Sequence, residues 1–236
     1  MIESVNNEKI KYYAKLKQKK FRDETGLFMV EGKHLVEEAQ KRNLIEVIYS
    51  LDDYEGATKV SEAVMKKLSD LNTIPNILAV VRMLKEREIK GNILILDDIQ
   101  DPGNLGTIIR SAVAFGIDTI VASNNTVDLY NLKTIRSSEG MTFNINYLKE
   151  DLSSFIEEIR NDCYIYNTNV VNGTNVDMVN LKKPYALIMG NEGSGVKEEL
   201  QRLAHENIYI PMNKACESLN VAMATSIILY EFNKRG

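Results

Sequence analysis

The sequence predicts an α/β protein of two domains, and three features of its patterning carry that prediction. Short apolar runs alternate with longer segments whose apolar residues recur at helical spacing. One stretch that is nearly all charge, Leu84-Lys85-Glu86-Arg87-Glu88-Ile89-Lys90-Gly91, interrupts the alternation and closes on a glycine. No apolar run is long enough to cross a bilayer, the longest being Val221 to Tyr230 with a Thr and a Ser inside it. The charged stretch is read as the linker, dividing residues 1–88 from residues 89–236.

In the first domain, Leu27 to Glu31 reads as a short buried strand. Gly32 then breaks into a helix over Lys33 to Lys41, where Leu35, Val36 and Ala39 share a face. Ile45 to Ser50 is a second strand, Lys59 to Leu71 a helix, and Ile77 to Met83 a third strand. In the second domain, strands are expected at 93–97, 119–122, 142–147, 164–167, 185–189 and 208–210. Helices are expected between and after them at 105–115, 129–136, 152–160, 196–203 and 218–233. Such alternation implies a mostly parallel sheet covered on both faces, with ligands beyond the carboxyl ends of its strands.

Composition narrows the function classes. An apolar fraction of 44% in 236 residues suits a globular protein. Met1 to Tyr13 lacks a basic segment followed by an apolar one, so a soluble, cytoplasmic protein is expected. Cys163 and Cys216 lie in different segments without zinc-ligand spacing, and are read as reduced, mostly buried thiols. With only His34 and His205 besides, no metal centre is encoded, and both histidines read as structural. The net charge of −4 argues weakly against nucleic acid, but it is unevenly spread. Residues 1–22 carry Lys9, Lys11, Lys15, Lys17, Lys19, Lys20 and Arg22 against Glu3 and Glu8, a net of +5 that leaves −9 elsewhere. With Tyr12, Tyr13 and Phe21 interleaved, this arm could hold RNA by phosphate contacts and stacking, or be a solvated helix face.

Three blocks carry residues that build no core. In Asp97 to Arg110, Pro102-Gly103 forces a turn, and Asn104 is placed to cap the next helix. Arg110 has small neighbours on its helix face, Gly106, Thr107, Val113 and Ala114, which leaves it room to clamp a phosphate. The alternative is an ion pair with Asp97, Asp98 or Asp101. The second block, Gly190-Asn191-Glu192-Gly193-Ser194-Gly195, has the order of neither a dinucleotide fingerprint nor a P-loop. It presents one carboxylate on backbone that a ligand can approach closely. In the third, Ile210-Pro211-Met212 leads to Glu217-Ser218-Leu219-Asn220, with Ser218 as the expected N-cap and Asn220 in the first turn despite its poor helix propensity.

Together, D-P-G-N-L-G-T-I-I-R, I-M-G-N-E-G-S-G, and I-P-M with E-S-L-N-V-A resemble the three ordered motifs of the SpoU (TrmH) family of RNA ribose 2′-O-methyltransferases, in the SPOUT superfamily. The likeness extends over residues 93–236 and includes Arg136-Ser137-Ser138-Glu139-Gly140. Residues 28–39 resemble the ribosomal-protein-like RNA-binding domain often fused to these enzymes. Glu139 and Met141 depart from the usual pattern and bear on the RNA-side groove. The resemblance implies a trefoil-knotted C-terminal domain, a homodimer completing the site, and S-adenosylmethionine as methyl donor without a metal. It assigns Thr168, Gly190, Gly193, Ile210, Met212 and Leu219 to the donor. Asn104, Arg110, Glu192, Ser218 and Asn220 form the catalytic set. The expected RNA-binding residues are Lys9, Lys11, Lys17, Lys19, Lys20, Arg22, Lys33 and Arg136.

The activity so implied is attack of a ribose 2′-oxygen on the sulfonium methyl, in which the protein positions and polarises the hydroxyl. A guanidinium resists deprotonation, which favours Arg110 as phosphate clamp and oxyanion stabiliser over a general base. The fused N-terminal domain favours ribosomal over transfer RNA. A transfer RNA 2′-O-methyltransferase, a non-catalytic RNA-binding protein keeping the fold, and a small-molecule nucleotide enzyme are the competing readings.

Overall fold

The computed structural model describes residues 1–169 and 172–235. They form two compact units, Met1–Lys85 with Asp128–Phe143, and Glu86–Val127 with Asn144–Gly236. Strand and helix periodicity carries no signal for the return of 128–143 to the first unit.

The first unit opens with α1 (Glu8–Ala14), a 3-10 turn and α2 (Lys19–Thr25), so the basic segment is folded rather than an extended arm. Asn7 caps α1 through Lys9 N and Ile10 N, and Ile10 and Leu16 are buried. There follow β1 (Leu27–Glu31), α3 (Lys33–Lys41), β2 (Ile45–Ser50), β3 (Ala57–Lys59), α4 (Glu62–Leu68) and β4 (Ile77–Arg82). The helix expected over 59–71 is thus shorter, because Ser61 caps it through Val64 N and the residues before it extend a strand. The sheet order is β1-β4-β2-β3, antiparallel except for β2 with β3.

The second unit holds β5 (Ile93–Leu96), α5 (Pro102–Ala114) and β6 (Thr119–Ser123) before the chain leaves it. Residues 128–143 carry α6 (Leu132–Ser137), whose Leu132 and Ile135 join the apolar clusters of the first unit. The second unit resumes with β7 (Asn146–Glu150), α7 (Leu152–Ile159), β8 (Tyr164–Thr168), β9 (Thr174–Asn175), β10 (Tyr185–Met189), α8 (Glu198–Leu203), β11 (Glu206–Tyr209) and α9 (Val221–Asn233). Its sheet has the order β7-β6-β5-β10-β8-β11-β9 and is parallel throughout, as the alternation predicts. Every residue of β5 and β10 is buried, which suits strands covered on both faces. Each Leu or Ile so buried stabilises the fold by about 1.5–3 kcal/mol. From β5 the chain winds outward to β6 and β7, then returns to the other side at β8 and β10. The carboxyl ends of β5 and β10 therefore meet at the reversal of strand order, where a crevice forms.

Arg22, one of the expected RNA-binding residues, is corrected here, while Arg136, another, is half-buried in an ion pair. Arg22 is 4% exposed, donates to Leu16 O and Lys17 O at 2.8 and 2.9 Å, and pairs with Asp128 at 2.5 Å. Arg136 donates to Glu31 Oε2 at 2.7 Å, and the Glu31 side chain is fully buried, also accepting from Ser69 Oγ and Asp70 N. Both guanidiniums neutralise acids inside the first unit. Arg22→Ala is expected to cost about 3–5 kcal/mol, because it strands Asp128 and two carbonyls with little water; urea unfolding followed by far-UV dichroism measures the loss.

No helix among the described residues is long and apolar enough to cross a membrane. Cys163 is buried, whereas Cys216 is exposed, so the expectation of buried thiols holds for one of the two. His205 accepts Ile165 N on Nδ1 and stacks on Tyr164. Burial, with Arg160 and Lys182 nearby, holds its pKa below the ordinary value, which suits a neutral structural imidazole.

Candidate active site

Asp97 N donates to Met189 O at 2.9 Å, so the loops leaving β5 and β10 start side by side. Asp101 caps α5, accepting Asn104 N at 2.9 Å, with Pro102 at the first helical position. The expectation that Asn104 caps this helix is therefore corrected, and its side chain is free for other work. Asn104 Nδ2 donates to Glu192 Oε1 at 2.6 Å.

At the other end of the site, Asn220 rather than Ser218 caps α9, accepting Ala222 N and Met223 N on Oδ1. That capping leaves Nδ2 to donate, and it meets Asn104 Oδ1 at 3.0 Å. The cap thus sets the amide orientation of Asn220, Asn220 sets that of Asn104, and Asn104 aims its donor at the carboxylate. Three of the five expected catalytic residues form one hydrogen-bonded chain, in which Asn104 meets Glu192 across 88 positions and Asn220 across 116.

Ser218 is exposed on the rim of the neighbouring cleft. Arg110 is exposed on α5 and makes no hydrogen bond or ion pair among the described residues. The alternative ion pairs are not formed, since Asp97 and Asp98 pair with Lys197 and Asp101 caps its helix. Nor does Arg110 join the Asn220–Asn104–Glu192 chain.

That cleft, of about 460 Å³, is lined by all six residues assigned to the methyl donor: Thr168, Gly190, Gly193, Ile210, Met212 and Leu219. Met189, Ile208, Val221 and Ile228 supply apolar wall, while Glu192, Glu217 and Ser218 add polar groups. Thr168 is held by donation from Oγ1 to Ile188 O at 2.9 Å. Sequence reasoning missed Asn191, Asn169 and Gln201. Asn191 Oδ1 accepts Gly193 N and Ser194 N, and its Nδ2 donates to Asp98 O, so it shapes the glycine loop. Gln201 bridges Asn169 Nδ2 and Val196 O across the cleft wall. Asn191 stands between motif glycines and was visible as a motif member; Gln201 sits in an ordinary amphipathic helix and leaves no signal.

The remaining expected RNA-binding residues lie in the first unit. Lys9, Lys11, Lys19, Lys20 and Lys33 are exposed. Lys17 is half-buried, bonded to Ser69 O and paired with Asp70. Tyr12 is 44% exposed, with its ring edge-to-face against Tyr13 and Phe21, and Lys15 lies over the Phe21 ring.

Residues 91–230 match the SpoU rRNA methylase family, and residues 7–79 match the MRM3-like substrate-binding domain. The chain is 37% identical over 241 residues to a Bacillus subtilis (strain 168) protein named 23S rRNA (guanosine(2553)-2′-O)-methyltransferase RlmP, covering 97% of each. It superposes on an AdoMet-bound rRNA methyltransferase from Sinorhizobium meliloti with a TM-score of 0.88 at 29% identity, covering 99% of this chain and 97% of that one. AviRb of Streptomyces viridochromogenes, a SpoU methyltransferase in complex with AdoMet, shares the fold at a TM-score of 0.86 and 23% identity over 98% of both chains. A family match over more than half the chain, joined to a likeness that spans nearly all of a curated relative, places this protein in the SpoU rRNA methylase family.

Proposed function

We propose that the protein transfers a methyl group from S-adenosylmethionine to a ribose 2′-hydroxyl of ribosomal RNA, acting as a homodimer. The observation that carries this reading is the Asn220–Asn104–Glu192 chain beside a cleft lined by every residue assigned to the methyl donor. The cleft has the size and mixed lining of a site for a drug-sized ligand, with a mainly apolar wall and a few placed polar groups. Adenosylmethionine, with its purine and its charged amino-acid end, fits that lining. When bound, it supplies a methyl group already activated on a sulfonium.

The chain's own residues then have positioning and proton work. Gly190, Gly193, Ile210 and Leu219 hold the donor, with Thr168 and Met212 beside them. Glu192 offers its second carboxylate oxygen as an acceptor for a ribose hydroxyl, restrained by Asn104. Arg110, permanently charged, binds backbone phosphate and stabilises the developing oxyanion.

Ribosomal RNA is favoured by the name of the Bacillus subtilis relative and by the substrate-binding domain at 7–79. Exposed Lys9, Lys11, Lys19 and Lys20 near Tyr12 give that unit phosphate-binding and stacking groups. The homodimer is supported by an apolar stripe on the outer face of α9: Met223, Ile227 and Tyr230 are 57%, 36% and 50% exposed. α9 packs on α5 through Ser226 and Ser111 Oγ atoms 2.7 Å apart, which puts Arg110 on the helix beside that stripe. The trefoil knot belongs to the same reading, supported by the convergence of the 190–195 and 210–220 loops on one cleft.

Labelled methyl transfer tests the activity. Ribosomal RNA from cells lacking the gene is expected to gain an alkali-resistant dinucleotide, and RNA from cells that have it is not. Labelling of transfer RNA alone would redirect the substrate class. No transfer to either RNA would favour an RNA-binding protein without turnover.

A further inference from the structure

Lys197 stands at the N-cap of α8 and makes no capping hydrogen bond there, although that position favours Ser, Thr, Asp or Asn. A cation beside a helix N-terminus is also opposed by the helix dipole. Its side chain turns back instead to two carboxylates at the end of β5. The ammonium lies 3.1 Å from Asp97 Oδ1 and 3.0 Å from Asp98 Oδ2, and Lys197 N donates to Asp97 Oδ2 at 2.8 Å. Asp97 is 1% exposed, and its Oδ1 has no hydrogen bond of its own, so this carboxylate depends on Lys197 for its charge balance. Asp98 is held from the other side by Ser123, donating from Oγ to Oδ1 at 2.6 Å. Its backbone sits at φ 55°, and its carbonyl accepts Asn191 Nδ2 at 2.8 Å.

The segment from Asn191 to Lys197 is therefore fastened to Asp97-Asp98 at both ends. Between the fastenings lies Glu192, which must keep its contact with Asn104, a residue seven positions beyond Asp97 in the first turn of α5. We propose that Lys197 is a positioning residue for the methyl transfer, locking the glycine loop against the Asp97–Asn104 loop so that Glu192 and Asn104 stay paired and the donor cleft keeps its floor. The inference rests on the methyltransferase reading above. Charge is central to it: burial pushes the Asp98 carboxyl up, but Ser123 and Lys197 together hold it below the usual carboxylate range, so it stays ionised beside the ammonium.

Hydrogen exchange on the unliganded protein, read over residues 190–197, tests the lock without any turnover. In Lys197→Met these amides are expected to exchange about tenfold faster, and in Lys197→Arg, which keeps the charge, at close to the wild-type rate. In kinetics, Lys197→Met should lower kcat/KM about tenfold in the wild-type background and only about twofold in Asn104→Ala, because the pair it serves is already broken. Equal losses in both backgrounds, or unchanged exchange, would overturn the proposal. Should Lys197→Met fail to fold, Asp98→Asn carries the test, and unchanged exchange there overturns it likewise. Absence of methyl transfer by the wild type would remove the proposed activity and leave the exchange result to judge the lock by itself.

Discussion

Replacing Gly190 with alanine is expected to abolish adenosylmethionine binding and to lower the stability of the second unit by about 3 kcal/mol. A Cβ at Gly190 would lie 2.2 Å from Gly195 C and 2.2 Å from Val196 N, so the peptide joining those residues occupies the space a side chain needs. The obstacle is backbone rather than a side chain that can swing away. That backbone is itself pinned, since Asn191 and Gly195 exchange two hydrogen bonds at 2.9 and 3.0 Å, and Gln201 donates to Val196 O. Relief would require opening the loop that carries Glu192. The neighbouring glycines provide the contrast. A Cβ at Gly193 would meet only Asn191 Oδ1 at an ordinary 3.4 Å, whereas Gly195 has open space but a φ of 70°. Gly193→Ala should therefore be nearly neutral for the fold, and Gly195→Ala should cost about 1 kcal/mol in strain. Calorimetric titration with adenosylmethionine and thermal melting rank the three. Binding by Gly190→Ala at wild-type affinity would contradict this account of the loop.

The loops that form the site are legible in the sequence because they spend glycine, proline and amides where a plain connector needs none. The parallel sheet is legible because β5 and β10 are continuous apolar runs, and β6 carries Ile120-Val121-Ala122 at its centre, each flanked by helical patterns. Local competition is harder to read. Asn104 and Asp101 both suit a cap, and Pro102 favours Asp101, since proline's fixed φ suits the first helical position. Ser218 and Asn220 compete in the same way, and the residue next to the unbroken apolar run Val221-Ala222-Met223 wins. Both outcomes changed the chemistry, because capping by Asp101 frees the Asn104 amide while capping by Asn220 fixes its own. Long-range pairing leaves no local trace. Arg22 belongs to a run of basic residues, and nothing near it in sequence announces Asp128, 106 positions away. Arg136 meets Glu31 across 105 positions for the same structural reason. A charge run counts cations, but burial decides which of them remain available to RNA.

Arg110→Ala is expected to lower kcat/KM for methyl transfer by about 10²–10³, the scale of losing one preorganised donor to a developing oxyanion. The melting temperature should not move, since the side chain is exposed and holds no partner in its own chain among the described residues. Adenosylmethionine affinity should also be retained, because Arg110 does not line the donor cleft. Arg110→Lys separates two roles by its pH dependence. A lysine titrates near 10.4, about two units or more below a guanidinium, so a general base at this position would move the limb on which the rate rises with pH to lower pH. A clamp would instead lose the two-pronged grip on phosphate and lower kcat/KM at every pH without moving the limb. The exposed stripe on α9 adds a further consequence. If a second copy covers it, Arg110 is presented toward that copy, and subunits carrying Arg110→Ala mixed with subunits carrying Asn104→Ala should recover part of the activity that each homodimer lacks. Mixtures no more active than their parents would place Arg110 in the service of its own chain.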